Sequence, residues 1–250
     1  MLIDTHCHIH DPDYPLDIDE IIKHAHDQTV EKIICVGTSI SNSRQAIEFA
    51  STHDGIFASV GVHPHNAKEG WAGIEQLLES KHKSVIAVGE IGLDYHYNHS
   101  SRDVQIQALE AQIELALKHN LPIVFHVREA FDDFWPVFDN FKGIRGELHS
   151  FTDTIANAQE GLKRGLYIGV NGYSTFTKDE SAKSMFAALP LEKILLETDA
   201  PYLTPNPFRN KVNEPAYIKN IADYHAMIRK ISTDEVAITT TANACALFEL

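Results

Sequence analysis

Leu2-Ile3-Asp4-Thr5-His6-Cys7-His8 is an apolar run that ends in two histidines spaced by one residue. A helical pattern follows at Asp17–Gln28. It opens with Asp17-x-x-Glu20, a capping signature, and carries Ile21, Ile22 and Ala25 on one stripe. A second apolar run, Lys32–Val36, comes next. This strand–helix–strand unit recurs along the chain. Further runs lie at Gly55–Val60, Ser84–Val88, Pro122–Phe125, Gly146–Leu148, Leu166–Val170 and Lys193–Leu196. Several are continuous rather than alternating, as in strands covered on both faces. Helical patterns separate them at Ser41–His53, Gly73–Lys81, Ser100–His119, Ala130–Phe141, Thr154–Arg164 and Asp179–Leu189. Ser100-x-x-Asp103 reads as a cap and Asn120 as a helix exit. Pro215 reads as an early helical residue, and Ser232-x-x-Glu235 as the start of the last helix.

Eight such repeats in 250 residues are the size of a (β/α)8 TIM barrel. An open doubly wound sheet is the rival, but no Gly-rich phosphate loop follows the first strand. No composition break marks a second domain, so residues 1–250 read as a single α/β domain. The longest irregular stretch is Thr198–Asn213, and loops of that length are usually functional or disordered.

Composition narrows the function. With 44% apolar and 22% charged residues the chain is globular rather than disordered. No apolar run approaches the ~18 residues of a membrane span, and the first residues do not read as a secretory signal. Three widely spaced cysteines, Cys7, Cys35 and Cys245, argue against a disulfide framework and for a reducing cytoplasm. A net charge of -14 argues against a broad basic face that coats nucleic acid, though not against a local site for a strand end.

The fifteen histidines are not scattered. The runs finish with His6 and His8, His63, Glu90 and Asp94, His126, His149, and Asp199. In a barrel such strand ends converge on one mouth, where active sites form. Alone, each has a structural explanation: a hydrogen-bonded core histidine, a buried ion pair, a turn. Together, polar groups clustered without a metal would carry costly unpaired atoms. His6, His8, Glu90, His126, His149 and Asp199 make six candidate ligands, more than the three a catalytic zinc usually takes. Two divalent ions fit better. Zinc suits the imidazoles, with magnesium or manganese as alternatives. Glu90, with two oxygens, is the natural bridge, and Asp199 can both ligate and accept a proton from a metal-activated water. Two ions and two carboxylates leave the site positive, which attracts anions and suits phosphoryl displacement.

Asp4-Thr5-His6-Cys7-His8, Gly61-Val62-His63-Pro64-His65, Gly89-Glu90-Ile91-Gly92-Leu93-Asp94-Tyr95 and Glu197-Thr198-Asp199-Ala200-Pro201-Tyr202-Leu203 resemble the motifs of the TatD family. These are metal-dependent deoxyribonucleases of the amidohydrolase superfamily. Asn213-Glu214-Pro215-Ala216-Tyr217 and the terminal Asn243 with Leu247-Phe248 resemble further family blocks. The resemblance spans nearly the whole chain. It implies a (β/α)8 barrel, two divalent metals and phosphodiester hydrolysis of DNA, often from the 3′ end. It also implies that His6, His8, Glu90 and Asp199 hold one metal, and Glu90, His126 and His149 the other. The chain departs from the family at His149-Ser150-Phe151-Thr152-Asp153, at Arg209-Asn210-Lys211 and after His126, where Val127-Arg128-Glu129 stands. Asn210 can take a left-handed backbone and keep that turn.

His63 reads as a contact to the scissile phosphate or as a residue that orients a ligand. Arg128 and Arg209 could pair with phosphate or form surface salt bridges. Tyr95 and Tyr202 could stack on a base or simply cover a helix. Cys7 points away from its neighbours into the core. The expected activity is removal of nucleotides from single-stranded DNA ends, with Glu90 and Asp199 catalytic. The alternatives are a hydrolase of a small amide, lactone or phosphoester on the same scaffold, and a non-enzymatic metal-binding protein.

Overall fold

The computed structural model describes residues 1–97 and 99–250. Its strands are β1 (Leu2–Cys7), β2 (Val30–Val36), β3 (Ile56–Val60), β4 (Val85–Asp94), β5 (Ile123–Arg128), β6 (Gly146–Leu148), β7 (Tyr167–Val170) and β8 (Ile194–Leu196). Its α-helices are α1 (Ile18–Asp27), α2 (Ile40–Thr52), α3 (Ala72–Glu79), α4 (Arg102–His119), α5 (Phe131–Asp139), α6 (Ile155–Lys163), α7 (Tyr173–Phe176), α8 (Glu180–Ala188), α9 (Ile218–Arg229) and α10 (Thr233–Phe248). All eight expected strands are present and alternate with helices in the (β/α)8 order. Among the described residues no helix is long and apolar enough to cross a membrane.

The contacts group into two compact units. Unit 1 comprises Met1–Cys35 and Ser150–Leu250. In it β1 pairs in parallel with β2, β7 with β8, and a parallel bridge joins Cys7 to Ala200. β1 is buried along its whole length and β8 likewise, consistent with parallel strands covered on both faces. Ile34, Leu195, Phe186, Ile218, Ile221 and Val236 are among its core residues. Cys7 is fully buried, its thiol donating to the Ile34 carbonyl of β2 at 3.6 Å. Unit 2 is Val36–His149, where β3, β4, β5 and β6 pair in parallel in that order. Its core centres on Phe125, whose ring lies 5.2 Å from Phe134 and 5.9 Å from Phe138, with Leu109 and Ile113 of α4 fully buried.

Local signals decide the helix ends. Asp17 caps α1 by accepting from the Glu20 N–H at 3.1 Å, and Ser232 caps α10 through the Glu235 N–H at 3.1 Å. Asn120 ends α4 in the left-handed conformation, φ 54°. One cap is corrected: α4 starts after Ser101, and Ser100 does not cap it. The Ser100 hydroxyl instead donates to the His65 carbonyl at 3.0 Å and accepts from the Lys68 N–H at 3.1 Å. The Pro215 segment begins as a 3-10 turn, Pro215–Tyr217, before α9. Asn210 is not among the positive-φ residues; the turn closes through the Lys211 N–H to the Phe208 carbonyl at 2.8 Å.

His225 of α9 is fully buried. Its Nδ1 accepts from Arg229 Nη1 at 3.0 Å, so the Nε2 proton faces Ser174 Oγ at 3.2 Å. Burial, then the Arg229 charge, pushes its pKa from 6.5 down to about 3. The unfolded chain therefore takes up this proton first as pH falls, and stability is lost between the two values. The loss at pH 5 is about 2 kcal/mol. His225→Gln removes the titration. Its Tm should fall between pH 7 and pH 5 by several degrees less than the parent's, at roughly 2–4 °C per kcal/mol for a chain of this size. An equally steep fall in thermal melts would remove His225 from the acid response.

Candidate functional site

In unit 1 the C-terminal end of β1 is tied to the segment after β8. The Asp199 N–H donates to the His6 carbonyl at 2.9 Å, and the His8 N–H to the Ala200 carbonyl at 2.7 Å. Thr5 Oγ1 donates to the Leu196 carbonyl at 3.1 Å. The fully buried Asp4 accepts from the Thr198 N–H at 2.8 Å and from the Thr198 hydroxyl. Burial outweighs these bonds and lifts the Asp4 carboxyl to about 8. Asn213 clamps the same segment, its amide donating to the Thr198 and Tyr202 carbonyls.

These ties bring three predicted ligands together. His6 Nε2 lies 3.3 Å from His8 Nε2, and Asp199 Oδ1 lies 3.9 Å from His6 Nε2 and 3.6 Å from His8 Nε2. Metal bonds of roughly 2.0–2.1 Å in a tetrahedron separate neighbouring donors by about 3.3–3.4 Å. The triangle is thus the size of one face of a zinc-like coordination shell, opened slightly on the carboxylate side.

Unit 2 gathers the remaining predicted ligands around one carboxylate. Glu90 Oε1 lies 2.8 Å from His126 Nδ1, 3.7 Å from His149 Nε2 and 3.6 Å from His63 Nε2. Glu90 is on β4, His126 on β5, His149 just after β6 and His63 just after β3. Close backbone approach makes this possible. A Cβ on Gly92 would stand 1.8 Å from the His126 carbonyl oxygen, so only glycine lets β4 lie there against β5. Gly61 plays the same part between β3 and β4, its missing Cβ falling 2.7 Å from the Gly89 carbonyl carbon.

His63 joins this set as a donor, a role sequence reasoning did not assign it. Its Nδ1 accepts from the His65 N–H at 3.1 Å, which turns Nε2 towards Glu90. Burial, with the neighbouring His126, holds His63 below its ordinary pKa and so neutral. Asp94 was quoted within a motif but given no role. Its Oδ2 lies 3.0 Å from both His126 Nε2 and His65 Nε2. Burial alone would raise the Asp94 carboxyl, but bonds from His126 and the Tyr97 N–H hold it well below the carboxylate range. A carboxylate behind a ligating imidazole fixes the ring and raises its basicity. His126 accordingly sits above its ordinary pKa despite burial, through its bonds to Asp94 and Glu90.

Two buried glutamines of α4 also escaped notice. Gln112 accepts from the Val62 N–H at 2.7 Å and donates to the Val62 carbonyl at 3.1 Å, directly before His63. Gln105 pairs in the same way with the Asp94 backbone, at 2.8 and 3.0 Å. Their signal was present: both break the apolar stripe of α4, seven residues apart.

The arginines behave differently. Arg128 ends β5 with its guanidinium 4.9 Å from the Tyr97 ring centroid. Arg209 lies over the Phe176 ring at 3.6 Å and donates to the Thr204 carbonyl at 2.6 Å. Tyr95 is held by its hydroxyl bond to Asp133 at 2.7 Å, under Arg102. Tyr202 is 61% exposed, with its ring 6.4 Å from His8. A cavity of about 320 Å³ between α1 and α9, lined by Phe208, Glu214 and Tyr217 among others, holds none of the predicted ligands.

The chain matches the model of the family described as TatD related DNase over residues 3–249. It is 37% identical to the uncharacterized metal-dependent hydrolase YabD of Bacillus subtilis, with 100% of both chains covered. It is 34% identical to the 3′-5′ ssDNA/RNA exonuclease TatD of Erwinia tasmaniensis, covering 94% of each. Among solved structures it superimposes on YJJV, a TatD homologue from Escherichia coli, with TM-score 0.92 and 29% identity over 100% of this chain and 98% of that one. The eight strand–helix repeats, the donor sets at the ends of the strands and this whole-chain likeness agree, and the chain belongs to the TatD-related DNase family of metal-dependent hydrolases.

Proposed function

We propose that residues 1–250 form one catalytic domain that removes nucleotides from the ends of single-stranded DNA in the cytoplasm, using two divalent ions, zinc by preference. The observation that carries this reading is the pair of donor sets: His6, His8 and Asp199 in unit 1, and Glu90, His126, His149 and His63 in unit 2. Each mixes imidazole and carboxylate at separations near those of metal ligands, which fits a borderline-soft divalent cation better than a hydrogen-bonded core. Bound there, such ions polarise a phosphoryl oxygen and make water a better nucleophile near neutral pH.

The protein groups do the rest. Asp199, 14% exposed and beside the His6 and His8 imidazoles, accepts the proton of the attacking water. Asp94 holds the His126 ring in place. Glu90, 3% exposed, brings negative charge into the set and keeps three imidazoles directed inward. Arg128 offers a cation to phosphate; Arg209, already bound to Thr204 and Phe176, does so less readily. A net charge of -14 repels a long duplex, while a flexible single-stranded end brings few phosphates near the acidic exterior. The names of the relatives, which include ssDNA/RNA exonucleases, support the same substrate class.

The test is an end-labelled oligonucleotide beside a closed circular single strand. Mononucleotides should be released from the linear strand and the circle should survive. Chelation to a metal-free state, checked by elemental analysis, should abolish hydrolysis, and added divalent metal should restore it. Equal cleavage of the circle would overturn the end-directed reading. Full activity without metal would overturn the metal sites. Inertness towards all DNA with brisk turnover of an amide or lactone would assign the alternative hydrolase chemistry.

A further inference from the structure

The segment after β4 carries Tyr97, which is 51% exposed. A surface tyrosine normally rotates freely, but this one is held. Its N–H donates to Asp94 Oδ1 at 3.0 Å. His65 and His96 meet its ring edge-on, with centroids 5.4 and 4.6 Å away and interplanar angles of 87° and 89°. His96 is itself fixed by Glu129 at 2.7 Å. The His99 ring runs nearly parallel to Tyr97, 12° off at 5.9 Å, and the Arg128 guanidinium lies over the Tyr97 ring at 4.9 Å.

Towards the interior, the same contacts run into the unit 2 donor set. The His65 ring is 4.3 Å from His63 and 6.3 Å from His126. The exposed ring therefore stands one side chain outward from His63 and His126 of the unit 2 donor set, with the Arg128 cation resting against it. Such a fixed, half-open aromatic surface has low ordering cost for a planar ligand, because little rotamer freedom is left to lose.

We propose that Tyr97, backed by Arg128, is the base-stacking platform of a nucleotide subsite adjoining the unit 2 donors, and that its ligand is the terminal base of a single-stranded nucleic acid. The inference rests on the phosphodiesterase reading above. Stacking on an aromatic ring is sequence-tolerant, since every base has a π-face, and the Arg128 charge adds to it. On a protein of net charge -14, this cation-backed ring supplies local attraction that the overall surface lacks.

The experiment crosses two changes in the metal-loaded, full-length enzyme: Tyr97→Ala against Tyr97→Trp, and an oligonucleotide with a normal end against one whose terminal nucleotide is abasic. Stacking of one base is worth on the order of 5- to 150-fold. We expect kcat/KM of Tyr97→Ala on the normal end to fall about tenfold, and Tyr97→Trp to stay near the parent. The abasic end should cost the parent about as much as the alanine variant loses, with no further loss when both are combined. Losses that multiply, or a tryptophan variant as weak as alanine, would overturn the platform. A parent enzyme inert towards every oligonucleotide would overturn the nuclease reading itself, and with it this subsite.

Discussion

Asp199→Asn is expected to lower turnover by on the order of 10²–10⁴-fold, the range for loss of a positioned general base. Asparagine keeps the shape of the side chain but does not accept a proton near neutral pH. The backbone tolerates the change well. Asp199 has φ 56°, a left-handed conformation that asparagine adopts at least as readily as aspartate. Its main-chain bonds are retained, with the N–H on the His6 carbonyl and its carbonyl receiving the Tyr202 N–H at 2.8 Å. The variant should therefore melt within about 1 °C of the parent in chelator, where the metal contributes nothing. Steady-state turnover and elemental analysis together check the assignment. A folded variant within a few-fold of the parent's turnover would place the base elsewhere. A large loss of turnover that disappears at saturating metal would make Asp199 a ligand only.

The strands were legible because their interiors are apolar on both faces, and runs such as Lys32–Val36 or Leu166–Val170 are too short for a buried helix. Their exact ends were less legible. The apolar run of the fourth strand stops at Val88, and Gly89-Glu90-Ile91-Gly92-Leu93-Asp94 follows as the polar end of that strand. In the structure β4 continues to Asp94. The glycines are there for close approach, not for turning, and the acids are buried by their histidine partners. β1 reaches Cys7 and β5 reaches Arg128, so that His6, Glu90 and His126, read at the ends of their runs, sit on strands. Placement on strands gives these side chains a more rigid support.

The ligand types could be read from the residues, but their orientation could not. His63 presents Nε2 to Glu90 because its Nδ1 accepts from the His65 N–H, a consequence of the 3-10 turn Pro64–Glu69 that no periodicity announces. Asp94, Gln105 and Gln112 act through backbone and ring contacts between residues far apart in sequence. Ser100 looked like a helix cap by local rule, yet its hydroxyl serves the 3-10 turn that carries His65. In each case a long-range partner outcompeted the local interaction that the sequence suggested.

Glu90→Gln is expected to reduce activity at least ~100-fold and to lower metal content. The carboxylate is 3% exposed, and a single oxygen, Oε1, faces His63, His126 and His149. Glutamine has nearly the same volume, so the packing of β4 against β5 should survive. What it loses is charge and donor strength. A neutral amide oxygen is a weaker ligand than a carboxylate, and if the amide nitrogen turns inward it presents a donor where the set needs an acceptor. The sequence expectation that Glu90 bridges two ions makes a sharper claim, that both equivalents are lost together. Elemental analysis of the purified variant distinguishes the cases. Loss of both equivalents supports a bridge, and loss of one confines Glu90 to the set formed by His63, His126 and His149. Two ions retained with near-normal turnover would make Glu90 structural, a partner that neutralises His126 and nothing more. That last outcome would conflict with the chemistry of the set. Three imidazoles within 2.8–3.7 Å of one buried carboxylate oxygen are donors of the kinds and spacing that suit a borderline-soft divalent cation.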